Sequence, residues 1–192
     1  MPPLILASTS RYRRDLLGRL RLPFDCAAPG VDESALAAES HLDRAVRLAL
    51  AKASAVAARR PGSTVIGSDQ VGVCKGDSLD KPGDALRAHA QLQRLSAAAA
   101  IFYTAVAVVP ADHSPSMQFV DTTTVYFRAL SDAEIERYIA AERPFDCAGG
   151  FRCEGLGISL FSRVVSEDPT GLVGLPLIAV ARSLRQLGYE LP

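Results

Sequence analysis

Apolar residues recur along this chain in two rhythms, and the changes between them mark out its elements. The run Leu4-Ile5-Leu6 predicts a short buried strand, after which Ser8, Thr9 and Ser10 lead into Tyr12, Leu16, Leu17 and Leu20 at helical spacing. Ser8 or Ser10 can cap that helix. A short strand through Phe24, Cys26 and Ala28 is expected next, then a turn at Pro29-Gly30 that delivers Val31-Asp32-Glu33. Ser40 opens a long helix with the stripe Leu42, Ala45, Val46, Ala49, Ala53, Val56 and Ala57. Residues 64–73 alternate as a strand, with Val65, Gly67, Asp69, Val71 and Val73 on one face. Asp84 caps a helix carrying Ala85, Ala88, Leu92 and Leu95. Two β-rich runs, 100–109 and 118–127, flank a polar loop and predict a hairpin. Ser131 and Glu134 form a capping box for a helix through Ile135, Tyr138 and Ile139, stopped by Pro144. A glycine-rich segment, 147–155, is expected to feed a strand at Ile158–Phe161. The last helix has Pro176 inside its first turn and Gly188 beyond its end.

A chain of 192 residues fits one large domain or two tight lobes, with one cooperative body as the default. Basic and acidic residues balance at 21 each, so wholesale coating of nucleic acid or membrane is disfavoured and any anion binding is local. Cys26, Cys74, Cys147 and Cys153 show no zinc spacing, and the three histidines are scattered, which fits a reduced cytosolic protein. No uninterrupted apolar run approaches ~18 residues and no leader pattern opens the sequence, so a soluble, unexported protein is expected.

Some polar residues sit badly in this pattern. Arg11, Arg13 and Arg14 crowd a helix start, where positive charge opposes the dipole; a bound polyanion and a solvated basic face explain them about equally well. Lys52 falls inside an apolar stripe, and snorkelling is the favoured account. Asp69 interrupts an apolar strand face between Gly67 and Gly72; a carboxylate there is costly unless partnered, which points to function. Asp32 and Glu33 read as loop solubility, and Lys81 lies in a turn before a capped helix.

Each signal is weak alone, but together they describe a triphosphate site with a base. Basic groups disperse phosphate charge, and an acid activates water or holds a divalent ion. The ordered series Leu6-Ala7-Ser8-Thr9-Ser10-Arg11-Tyr12-Arg13-Arg14, Val31-Asp32-Glu33, Ala51-Lys52-Ala53, Ser68-Asp69-Gln70-Val71, Lys81-Pro82, Glu154-Gly155 and Asp168-Pro169-Thr170 through Gly174-Leu175-Pro176 resembles the Maf family of nucleotide pyrophosphatases. The motifs span nearly the whole chain.

The resemblance implies an α/β fold of Maf/ITPase-like type: a mixed twisted sheet with flanking helices, residues 1–192 forming one domain of two lobes around a central cleft. It implies a cytoplasmic, often homodimeric enzyme that splits a nucleoside triphosphate into monophosphate and pyrophosphate with a divalent cation, Mg2+ or Mn2+, and that has neither nucleic acid nor membrane as partner. Carried over by motif, Asp69 is the general base, Ser8, Arg13, Arg14, Lys52 and Lys81 hold phosphates, and Glu33 helps with metal or phosphate. Tyr12, Gln70, and Glu154 beside Cys153 resemble the YceF branch, associated with 7-methyl-GTP. A carboxylate at 154 accepts both donors on guanine's Watson–Crick edge, and methylation puts positive charge on the purine, favouring Glu154 and the Tyr12 ring. The alternatives are the branch acting on dTTP and UTP, and a non-catalytic nucleotide-binding regulator of septum formation. Ala97 and Ala105 stand where the family commonly has glycine, which alters what the backbone there can adopt.

Overall fold

The computed structural model describes residues 1–192. Strands and helices follow in the order β1 (Leu4–Leu6), α1 (Arg11–Gly18), β2 (Asp25–Cys26), α2 (His41–Ala57), β3 (Thr64–Cys74), β4 (Asp77–Leu79), α3 (Ala85–Leu95), β5 (Ala99–Val109), β6 (Met117–Phe127), α4 (Asp132–Glu142), β7 (Phe161–Val165) and α5 (Leu177–Gln186). The sheet is mixed, as expected, with strand order β2-β1-β3-β5-β6-β7 and β4 paired to β3. β1 runs parallel to β2 and β3, whereas β4 and β7 are antiparallel to β3 and β6.

The helix starts are set by the polar residues that the sequence offers. Ser40 accepts from Asp43 N, Asp84 from Arg87 N, and Ser131 and Glu134 exchange bonds in a capping box. Three elements differ from the sequence expectation. β2 shrinks to Asp25 and Cys26, because an edge strand has a neighbour on one side only. Residues 156–160 form a 3-10 turn rather than a strand, since Arg152 O takes both Gly155 N and Gly157 N and winds the chain. Pro176 is the N-cap of α5 instead of its first-turn residue.

β3 is buried on both faces rather than alternating, because α2 covers one side closely. A Cβ at Gly67 would lie 2.3 Å from Ala49 O, so only glycine lets the helix settle there. Gly72 does the same for a ring: its Cβ would meet Phe102 at 2.6 Å. These two glycines therefore mark packing by the chain itself.

The chain forms two compact units, residues 1–70, 104–121 and 168–192 in the first and 71–103 and 122–167 in the second. The first is centred on Leu6, Leu17, Ile66, Val108, Leu175 and Leu184. The second is centred on Phe102, Phe127, Phe151 and Phe161, whose rings meet edge to face at 5.1–5.4 Å. Each such pair contributes about 0.5–1.5 kcal/mol beyond its buried area.

Candidate active site

In the first unit, α2 and β3 bring a lysine and an aspartate together. Lys52 Nζ donates to Asp69 Oδ1 at 2.7 Å and lies 3.0 Å from Glu33 Oε1. Lys52 is only 4% exposed, so it does not snorkel. The stripe spacing left its partner unseen because that partner comes from the neighbouring strand. Glu33, read from sequence as a loop-solubility residue, reaches in from a half-exposed position. Arg13 is held nearby in charge terms: burial lowers its pKa from the ordinary guanidinium value, while Asp69 and then Glu33 pull it back up.

A loop before α5 fixes Arg13. Gly174 O accepts from Arg13 Nε at 2.9 Å and lies 2.9 Å from Ser68 Oγ, whose single proton it shares with Ala105 O at 2.8 Å. Asp168 shapes that loop, accepting from Thr170 N and Oγ1 and, through its other oxygen, from Ile178 N at 2.7 Å. That last bond satisfies an open amide at a helix start with a carboxylate. The motif from Asp168 to Pro176 thus has a job that composition did not reveal: it aims a carbonyl at an arginine. Gly174, at φ 121°, is the member that only glycine supplies without strain.

Gln70 serves the same loop. Its Nε2 lies within 3.1 Å of Thr104 Oγ1, Gly171 O and Leu172 O, and these three acceptors dictate which end of the amide is nitrogen. The specificity role expected of Gln70 therefore has only its Oε1 left to use.

The other residues expected in phosphate or base binding are distributed as follows. Ser10, rather than Ser8, caps α1, and Ser8 Oγ accepts from Ser10 N at 3.1 Å inside the turn. Arg14 is exposed and lies 3.4 Å from Asp15. Tyr12 carries the Arg11 guanidinium 4.7 Å from its ring centroid, so one face of the ring already holds a cation. Lys81 and Glu154 belong to the second unit. Lys81 is exposed on a loop pinned by Gly149 N to Asp80 O and by Gly83 N to Phe145 O. Glu154 is exposed, with Cys153 Sγ donating to its Oε2 at 3.4 Å.

No three His, Cys, Asp or Glu side chains gather into a metal cage. Two carboxylates reaching one ammonium are nevertheless the kind of hard oxygen pair through which Mg2+ is held when substrate phosphates complete its shell, so the donor set fits a divalent ion carried with a nucleotide. No helix is long and apolar enough to cross a membrane.

The model of the Maf family, described as Maf-like protein, matches residues 3–187. A 7-methyl-GTP pyrophosphatase of Xanthomonas campestris pv. campestris (strain 8004) is 57% identical over 192 residues, all of both chains. One from Albidiferax ferrireducens is 52% identical over 187 residues, 97% of this chain and 94% of that one. Among solved structures, a HAM1 protein from Coxiella burnetii superposes with a TM-score of 0.51 at 12% identity, covering 97% of this chain and all of the other, which supports the α/β fold. With the family model matched over residues 3–187, a relative 57% identical over the full chain, and Arg13, Lys52 and Asp69 gathered from α1, α2 and β3, the chain belongs to the Maf family.

Proposed function

We propose that this chain is a nucleoside triphosphate pyrophosphatase with 7-methyl-GTP as its preferred substrate. The observation that carries the reading is full-length identity of 57% to a protein of that name in a chain whose Arg13, Lys52, Glu33 and Asp69 are all present and grouped. Asp69 accepts a proton from water as the water oxygen joins the α-phosphorus, and the bond to the bridging oxygen breaks so that its electron pair leaves on pyrophosphate. Arg13, with its Nε spent on Gly174, keeps two nitrogens for phosphate, and Lys52 moves its charge onto the polyphosphate.

Charge balance supports a divalent ion. Arg13 and Lys52 are offset by Glu33 and Asp69, so this group alone has no surplus for a triphosphate. A Mg2+ or Mn2+ ion held through Glu33 and the phosphates supplies that neutralisation when bound. Glu154 accepts the two donors of guanine's Watson–Crick edge, and a uracil edge, with one donor between two acceptors, sets an oxygen against its charge. The reading includes a cytoplasmic homodimer that binds no nucleic acid.

The test is a panel of GTP, 7-methyl-GTP, UTP and dTTP, with pyrophosphate and orthophosphate measured separately. Pyrophosphate alone, released fastest from 7-methyl-GTP, is the expected result. Faster release from UTP or dTTP overturns the substrate assignment, and no pyrophosphate from any of them overturns the activity.

A further inference from the structure

Glu142 ends α4 with a negative charge, the sign that the C-terminal end of a helix dipole disfavours. Its side chain is nearly buried and both oxygens are engaged: Oε1 pairs with Arg152 Nη2, and Oε2 accepts from Leu156 N at 2.7 Å. Tyr138, one helical turn earlier, accepts from Arg152 N at 3.0 Å. Arg152 O in turn accepts from Gly155 N and Gly157 N at 3.2 and 3.1 Å. Residues 152–157 are thus wound around one carbonyl and clamped to the end of α4.

The clamp leaves no room for side chains at its glycines. A Cβ at Gly155 would stand 2.8 Å from both Glu142 carboxylate oxygens, and one at Gly157 would stand 2.3 Å from Arg152 O. Glu154 is the exposed acid of this turn. Burial, ahead of the nearby Glu154 charge, pushes the Cys153 thiol up to about 12, so it keeps its proton at neutral pH and donates to Glu154.

We propose that Glu142 is a positioning residue for base specificity: through Arg152 and Leu156 N it sets the backbone from which Glu154 meets the purine. This rests on the reading that Glu154 accepts the guanine donors. A carboxylate that must accept two donors side by side tolerates little displacement, so loosening its turn costs discrimination before it costs chemistry. Glu142 touches neither substrate nor reacting atoms; it acts through the turn.

The experiment compares Glu142→Gln, Glu154→Gln and the double variant for kcat and KM on 7-methyl-GTP and GTP, with hydrogen exchange at the Leu156 amide followed in Glu142→Gln and Glu142→Ala. Glu142→Gln is expected to lower the 7-methyl-GTP to GTP efficiency ratio by about tenfold, through KM, with kcat kept within about twofold. Glu142→Ala is expected to unprotect the Leu156 amide and Glu142→Asp to restore part of the ratio. In the Glu154→Gln background, Glu142→Gln is expected to add nothing further. An unchanged ratio in Glu142→Gln, with a lowered one in Glu154→Gln, overturns the positioning role alone. An unchanged ratio in Glu154→Gln overturns the base-recognition reading and the positioning role with it.

Discussion

Lys52 Nζ lies 2.7 Å from Asp69 Oδ1, and both side chains are buried. The carboxylate assigned to take a proton from water is therefore held by an ammonium. Under the proposed function a polyphosphate competes with Asp69 and Glu33 for that ammonium, so arrival of substrate loosens its hold on Asp69 Oδ1. On that reading the pair couples binding to readiness of the base.

Lys52→Met tests this coupling. The triphosphate KM is expected to rise by more than tenfold, whereas inhibition by the monophosphate product changes by less than about threefold. Stability falls as well, by up to about 3–5 kcal/mol, because Asp69 loses its buried partner. Steady-state kinetics beside urea unfolding separates the two effects; lost stability with unchanged KM would reduce Lys52 to a packing residue.

Gly174→Ala addresses the carbonyl that holds Arg13. A residue at φ 121° other than glycine is strained, and its Cβ would stand 3.5 Å from Arg13 Nε. A shift of the carbonyl misplaces the guanidinium, and KM for the triphosphate is expected to rise roughly tenfold in a folded protein. Unchanged KM would detach the 168–176 loop from phosphate binding.

Ala97, a position where the family resemblance leads one to expect glycine, adopts φ 55° and donates from its N to Arg128 O at 3.0 Å. The backbone makes a left-handed turn there, and the methyl makes it costly, by about 1 kcal/mol. Ala97→Gly is expected to raise stability by roughly 0.5–1 kcal/mol, read as a higher midpoint in urea. Ala105, the other such position, lies in β5 without positive φ and carries no such cost.

Stability should also fall in acid. Bonds from Ser131 N and Oγ and from Arg128 hold Glu134 at about 2, and Arg47 does the same for Glu39, both below the ordinary 4.5. A carboxyl whose folded pKa is depressed stabilises the fold above the unfolded value and loses that contribution as pH drops from 4.5 towards 2. Urea unfolding across that range is expected to show a shallower pH slope in Glu134→Gln than in the unaltered chain; equal slopes would contradict the assignment.

Much of this was legible in the residues, for reasons that can be named. Asp69 stood out because a carboxylate on an apolar strand face needs a partner. The helix starts at Ser40, Asp84 and Ser131 could be read because capping is local chemistry. Lys52 is buried on Asp69 rather than snorkelling, because helical spacing says which face a residue takes and nothing about what faces it. Arg13 and Arg14 differ because one residue turns a side chain by about a quarter of the helix circumference, and only Arg13 meets the Gly174 carbonyl, a partner distant in sequence. Gly174 contributes a carbonyl, which every residue has, so no side-chain pattern could announce it. The strand expected at 158–161 begins only at Phe161, because the residues before it are wound around Arg152 O and tied to Glu142 at the end of α4.

The central claim is that Asp69 is the base of a pyrophosphatase, and Asp69→Asn measures it most directly. Asparagine keeps the shape and cannot take the proton, so single-turnover release of pyrophosphate from 7-methyl-GTP is expected to fall by about 10²–10⁴, with nucleotide binding within a few-fold of the unaltered protein. Near-normal release from the folded variant would contradict the account.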